Sequence, residues 1–184
     1  MTLFDGRIET MCGDITSIDC NAVVNAANSS LLGGGGVDGA IHKAAGPGLL
    51  EECRRIRKEQ YPDGLPAGQA VITDAGGMNC SRIIHTVGPV WKGGGYNEEE
   101  TLASCYSNSL NLAEKEKLRT VAFPAISTGV YGYPPEKAAH VVYRTMKQFL
   151  PALSFPEKVL LVFFSQNGET QFLNALKGEP GIQN

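Results

Sequence analysis

Apolar residues in this chain gather into six short runs, separated by longer stretches in which they recur at helical spacing. The runs cover residues 8–12, 22–27, 70–73, 82–87, 120–126 and 158–165, each of a length suited to one strand. Several are almost unbroken, as in Val159-Leu160-Leu161-Val162-Phe163-Phe164, which predicts strands covered on both faces. Between the runs, residues 39–45, 48–60, 97–117, 136–149 and 170–176 read as helices. In the fourth of these, Ala139, Val142, Met146 and Phe149 fall on one helical stripe. Such alternation predicts an α/β protein, a sheet sandwiched between helix layers, with binding loops at the carboxyl ends of its strands. No internal repeat or long linker interrupts it.

Four segments fall just after strands: Gly13-Asp14-Ile15-Thr16, an asparagine and glycine loop at residues 25–39, Ser127-Thr128-Gly129-Val130-Tyr131-Gly132-Tyr133-Pro134, and Ser165-Gln166-Asn167-Gly168. If their strands are parallel, all four share one rim of the sheet.

Composition narrows the partners. At 184 residues the chain reads as one domain with room for a real core, and 42% hydrophobic and 19% charged content are ordinary for a globular protein. A formal charge of −3 without a Lys/Arg run gives no bulk attraction to a polyanion, so direct nucleic-acid binding is not expected. A phosphate ligand would have to be held by amides and dipoles. The five cysteines are widely spaced, with no C-x-x-C pair, and fit reduced thiols in an intracellular protein. The first residues lack the pattern of a signal peptide, and no apolar stretch approaches the ~20 residues of a membrane span. A cytoplasmic location without membrane association is therefore expected. Residues 1–178 are expected to form the domain, and residues 179–184 a disordered tail.

The asparagine and glycine loop carries the densest chemistry. Ala22-Val23-Val24 feeds into Asn25 and Asn28, four glycines follow at residues 33–36, and Asp38 opens a helix. Glycines let backbone N–H groups approach a ligand closely, and a helix N-terminus behind them favours a phosphate. Gly34-Gly35-Gly36-Val37-Asp38-Gly39 formally satisfies G-x-G-x-x-G, but five residues separate it from the strand and an acid sits where a pyrophosphate should. A Walker A loop is excluded, because no Gly-Lys-Ser/Thr follows.

Asp38 reads either as a first-turn helix acid or as a partner for a ribose hydroxyl or a water. Asn25 and Asn28 are either turn formers or groups that position a sugar hydroxyl and a water. Asp14 either caps a short helix at Thr16 or accepts from a base amino group. The segment starting at Ser127 is either a plain turn or a second set of amides for a diphosphate. His42 shares a helix face with Asp38, but with no second His or Cys near it in sequence a metal site is not expected. His85, after Ile83-Ile84, reads as a core or rim histidine. The glycine-rich stretch Trp91-Lys92-Gly93-Gly94-Gly95-Tyr96-Asn97 has no strand-end acid and is expected to be a mobile surface loop with Trp91 at its base.

Taken together, Gly13-Asp14-Ile15-Thr16, Val24-Asn25-Ala26-Ala27-Asn28, the stretch from Gly33 to His42 and Ala125-Ile126-Ser127-Thr128-Gly129-Val130-Tyr131-Gly132 resemble a macro domain of the MacroD type, in its bacterial O-acetyl-ADP-ribose deacetylase branch. The resemblance spans nearly the whole chain. It implies a three-layer α/β/α fold with a mixed, largely parallel six-stranded sheet and a cleft for ADP-ribose. Asp14 and the Ile15 amide would take the adenine. Gly36 and Val37, with Ser127, Thr128, Gly129, Val130 and Tyr131, would wrap the diphosphate. Asn28 and Asp38 would face the distal ribose, Asn25 would help position it, and residues 164–167 would wall the adenine. The implied activity is hydrolysis of O-acetyl-ADP-ribose to ADP-ribose and acetate, and removal of ADP-ribose from acidic protein side chains in some relatives. Asp38 would activate or orient water, or a substrate phosphate would serve as base with Asp38 only orienting. No metal or redox cofactor is implied. The family also contains readers that bind ADP-ribose without hydrolysis, and enterobacterial relatives are linked to down-regulation of ribonuclease III.

Overall fold

The computed structural model describes residues 2–3 and 6–180. Among them are seven strands: β1 (Thr2–Leu3), β2 (Ile8–Cys12), β3 (Ala22–Ala27), β4 (Ala70–Asp74), β5 (Arg82–Val87), β6 (Thr120–Pro124) and β7 (Lys158–Phe163). Five helices accompany them: α1 (Gly36–Ala45), α2 (Pro47–Glu59), α3 (Glu98–Lys115), α4 (Pro135–Phe149) and α5 (Gln166–Ala175). The sheet order is β1-β2-β7-β6-β3-β5-β4. The five inner strands, β2 to β5 in that order, are parallel, while β1 and β4 close the two edges antiparallel. The mixed, largely parallel sheet is thus as expected, with the two-residue β1 extending one edge beyond the six longer strands.

Side chains alternate between the two faces of a strand. In β3, Ala22 and Val24 enter the core under α3, α4 and α5, while Val23 and Ala27 enter the core under α1 and α2. In β7, Val159, Leu161 and Phe163 take the first face, and Leu160 and Val162 the second. This two-sided burial explains the nearly unbroken apolar runs. In α4, Ala139, Val142 and Met146 of the predicted stripe are buried against the first core. Each fully buried aliphatic side chain contributes about 1.5–3 kcal/mol.

Boundaries shift where backbone chemistry overrides the apolar pattern. Helix α1 starts at Gly36, three residues early, so the glycine run leads directly into its first turn. Helix α5 starts at Gln166, four residues early, because Ser165 Oγ accepts from the Gly168 N–H at 3.2 Å and caps it. Ile126 is buried although it lies past the end of β6, so its apolar character reports burial rather than a strand. Near the chain's end, Tyr143 donates to the Pro180 carbonyl at 2.7 Å and the Glu179 N–H donates to Leu176 O at 3.1 Å. Residues 181–184 of the expected tail lie outside the described residues.

The glycine-rich stretch after β5 is not the free loop expected. The buried Glu98 carboxylate accepts the N–H groups of Lys92 (2.9 Å), Gly94 (3.1 Å) and Tyr96 (2.6 Å). Burial acts to raise its pKa, but the N–H donors of Tyr96, Glu98, Lys92 and Gly94 outweigh it and hold it down at about 2. Trp91 packs at the base as expected, its ring 4.7 Å from that of Tyr133, and its backbone N–H donates to Tyr131 O at 2.8 Å. The acid that organises this loop is the first residue of the next helix, not a residue at the strand end.

Candidate functional site

Because β2, β7, β6 and β3 are parallel, the turns that follow them leave from one rim. The sheet order arranges that rim as Asp14 after β2, Phe164 after β7, residues 127–131 after β6, and the Asn28 and Asp38 loop after β3. An elongated ligand lying across the rim would meet them in that order.

Asn25 is an inward-facing residue of β3 on the α1/α2 side, at a position its alternation reserves for apolar groups, and it is fully buried. Its Nδ2 donates to Asp38 Oδ1 at 2.7 Å and stands 3.1 Å from His85 Nδ1. A carboxylate only accepts, so the amide nitrogen must face Asp38. Its second hydrogen then meets His85 Nδ1 as a lone pair, which puts the imidazole proton on Nε2, 2.9 Å from Thr73 Oγ1. Burial, reinforced by the nearby His42, pushes His85 down to about 3, so this ring is neutral. Asn25 Oδ1 is left buried without a hydrogen-bond partner among the described residues.

Asp38 lies in the first turn of α1, whose N-cap is Gly35 with no capping side chain. Instead of turning back to cap the helix, its carboxylate reaches sideways to Asn25 and is only 5% exposed. His42 Nε2, one turn further along, is 3.5 Å from Asp38 Oδ1. The other oxygen faces the glycine run: a Cβ on Gly34 would sit 3.1 Å from Asp38 Oδ2 and 3.2 Å from Asn28 Nδ2. Any side chain at Gly34 would crowd both groups. Asn28 shapes the loop itself, donating to Gly33 O at 2.9 Å and accepting from the Ser30 N–H and hydroxyl. One of its amide hydrogens remains available.

Two rows of backbone N–H groups follow the adjacent strands β3 and β6 on this part of the rim. Those of residues 34–37 have no partner among the described residues, and neither do those of residues 127–131. The second row is arranged by tying its carbonyls inward: Ser127 O accepts from Tyr133, Gly129 O from Gly132, and Tyr131 O from Trp91. Ser127 adopts φ +65, a conformation costing a non-glycine residue roughly 1–2 kcal/mol, and its buried Oγ presses against Gly88, where a Cβ would come within 2.1 Å. Gly36, Val37, Thr128, Gly129, Val130 and Tyr131 therefore offer amides rather than side-chain chemistry.

At the far end, Asp14 Oδ1 accepts from the Thr16 N–H (2.9 Å) and hydroxyl (2.8 Å), bonds that lower its pKa in that order. The capping reading of Asp14 is thus realised, and Oδ2 stays free among the described residues. Ile15 is buried beneath it. Phe164 is 92% exposed and Val130 wholly so, two apolar side chains standing on the rim. Gln166 and Asn167, expected in a loop with Phe164, lie instead in the first turn of α5.

His42, Cys53 and His85 bring ligand-type atoms within 4.8 Å of one another. His85 Nε2 carries a proton, and burial, with Glu52 and Asp38 nearby, pushes the Cys53 thiol up to about 12. Both His85 nitrogens are already engaged, Nδ1 by Asn25 and Nε2 by Thr73, and the cluster reads as a support under Asp38. Sequence reasoning missed the link from His85 and Thr73 to Asn25. The available signal was a polar residue at an inward position in each of three strands.

This fold and rim define a macro domain: the macro domain family model matches residues 24–142, and the chain belongs to that family. It is 51% identical over 172 residues to an O-acetyl-ADP-ribose deacetylase of Klebsiella pneumoniae, covering 94% of this chain and 97% of the relative. To the O-acetyl-ADP-ribose deacetylase of Salmonella typhimurium it is 52% identical over 160 residues, covering 87% and 88%. Among solved structures, a variant of the Oceanobacillus iheyensis macrodomain with ADPR superposes with a TM-score of 0.88 at 46% identity, over 92% of this chain and 91% of that one. The Trypanosoma brucei macrodomain in complex with ADP-ribose gives 0.81 at 34% identity, over 91% of this chain and 68% of that one.

Proposed function

We propose that this chain is a hydrolase of ADP-ribose esters that deacetylates O-acetyl-ADP-ribose. The observation that carries the reading is Asp38. It is a buried carboxylate with one oxygen fixed by Asn25 and the other turned to a side-chain-free glycine run, on a rim that carries two rows of unengaged amides. The amides of residues 34–37 and 127–131 suit a diphosphate, held without cationic side chains. The adenine would lie between Asp14 and Phe164, and the distal ribose over Asp38 and the spare amide hydrogen of Asn28.

In the reaction, a water oxygen adds to the acetyl carbonyl while Asp38 Oδ2 takes its proton. Collapse of the adduct breaks the bond between the acyl carbon and the ribose oxygen. That oxygen leaves with a proton, giving ADP-ribose and acetate. An ester between ADP-ribose and an acidic protein side chain contains the same bond, so the same groups serve its hydrolysis. The names of the deacetylase relatives and the ligands of the related macrodomains support this reading.

Acetate release from O-acetyl-ADP-ribose tests it. Asp38→Ala is expected to lower turnover ~10²-fold or more while ADP-ribose still binds. Wild-type protein that binds ADP-ribose tightly without releasing acetate would instead be a reader of the ligand, and undiminished turnover by Asp38→Ala would overturn the role given to that residue.

A further inference from the structure

Three neighbouring strands place three polar side chains in a line beneath Asp38. Asn25 of β3 and His85 of β5 are register partners, so their side chains stand side by side on one face. On β4 the residue opposite His85 is Val71, and Thr73, two further along, shares its face. That face is the one α1 and α2 cover. The result is a continuous chain from Thr73 Oγ1 to His85 Nε2 (2.9 Å), His85 Nδ1 to Asn25 Nδ2 (3.1 Å), and Asn25 Nδ2 to Asp38 Oδ1 (2.7 Å). All four residues are buried.

We propose that Thr73 and His85 are positioning residues for the hydrolysis: His85, in its Nε2–H tautomer with Thr73 as the acceptor, takes the second hydrogen of the Asn25 amide and so locks the amide nitrogen toward Asp38, which fixes Oδ1 and leaves Oδ2 for the reacting water. The proposal rests on the role given to Asp38 above. Its logic is one of matched donors and acceptors. The Asp38 carboxylate only accepts, so the Asn25 NH2 faces it and offers its second hydrogen to His85; Nδ1 is then bare, and the Thr73 hydroxyl, which can donate or accept, receives the Nε2 proton. Both hydrogens of the Asn25 amide are then committed, one to each neighbour. Were the imidazole proton on Nδ1, it would oppose the amide NH2. The amide would then relieve the clash by turning its oxygen toward the Asp38 carboxylate, where two acceptors repel. The Asp38 carboxylate would lose the one hydrogen-bond donor it has among the described residues, and with it a fixed orientation. The groups facing the ring from the covering helices are Asp38 and His42 on α1 and Cys53 on α2, the last 4.0 Å from Nε2. Cys53 Sγ, a weak acceptor at the outer limit for sulfur, is a poorer partner for the Nε2 proton than Thr73 Oγ1 at 2.9 Å.

Five measurements on the full chain test this. Nitrogen NMR of the His85 ring should report the Nε2–H tautomer between pH 5 and 8, and an Nδ1–H signal would overturn the proposal. His85→Phe, which keeps bulk but loses the acceptor, should lower kcat about 10- to 100-fold with the Kd for ADP-ribose within about threefold. His85→Asn, whose oxygen can stand near the lost Nδ1, should recover part of that, and Thr73→Val should fall between wild type and His85→Phe. In an Asn25→Ala background, His85→Phe should have no further effect on kcat, since its influence travels through Asn25. Multiplicative losses there, or equal losses of kcat and of folded protein in every variant, would show a merely structural histidine. The two readings fail separately: inactive wild-type protein would sink the hydrolase assignment, whereas an active wild type, an impaired Asp38→Ala and an unimpaired His85→Phe would sink only the positioning role.

Discussion

Two glycine runs lie on this protein, each followed by an acid in the first turn of a helix, and they use that acid in opposite ways. After β3, residues 33–36 lead to Asp38; after β5, residues 93–95 lead to Glu98. Glu98 turns back into its own loop and receives three backbone N–H groups, so its charge is consumed in holding the loop closed. Asp38 receives no N–H from its loop. Asn25 holds one oxygen from below, and the amides of residues 34–37 are left unengaged. A carboxylate that satisfies its own loop is structural. One that is held by a neighbouring strand, while its loop amides stay open, is available for chemistry.

The largest expected effect falls on the open acid. Asp38→Asn keeps the size and one polar oxygen but cannot take a proton, so turnover should fall ~10²-fold or more while ADP-ribose binding persists. Retained turnover would move the base to a substrate phosphate and leave Asp38 a merely orienting group. Next comes the bare space above it. Gly34→Ala puts a Cβ 3.1 Å from Asp38 Oδ2, and kcat/KM is expected to drop about tenfold with the melting temperature unchanged. A wild-type kcat/KM there would mean that the ligand does not approach Asp38 over this glycine.

Smaller effects are expected further along the rim. Phe164→Ala should weaken ADP-ribose by roughly 1–3 kcal/mol if the exposed ring stacks on the base, which titration calorimetry would show, with stability unaffected. The smallest change in activity is expected from the closed acid. Glu98→Gln should leave kcat/KM within about twofold while lowering the melting temperature, because a neutral amide oxygen is a weaker acceptor for the loop N–H groups. The sign with pH follows from the lowered pKa. Since folding lowers the Glu98 carboxyl from its usual 4.5 to about 2, its contribution is fully present above 4.5 and fades as the pH falls through 2. The difference in melting temperature between wild type and Glu98→Gln should therefore shrink on acidification, and a gap that widened would contradict the clamp.

Much of this was legible in the residues. Six of the strands, all five helices and the convergence of the post-strand segments follow from apolar periodicity and from parallel pairing. The rest was hidden for specific reasons. Glu98 reads as one of three acids opening a helix, and nothing local says that its side chain turns back rather than outward. Asp14 and Asn28 carried both a turn-forming and a ligand-binding reading, and the turn bonds are present in each case with one atom to spare. The start of α5 was placed four residues late, because a serine cap leaves no mark on apolar periodicity. His85 was legible as a core histidine, but not as the neighbour of Asn25.

Sequence alone determined the alternating architecture, the order of the binding segments along the chain, and the presence of an acid next to a glycine run. Those properties are local, set by side-chain type and by the period with which it repeats. Tertiary structure decided which acid stays open, which amides remain unengaged, and which tautomer supports Asn25. Each depends on pairing between residues far apart in sequence, such as Asn25 with His85 and Val71 with His85, and on which helix covers the shared face. Strand register fixes those contacts to within a residue, and a slip of one would turn every side chain involved to the opposite face.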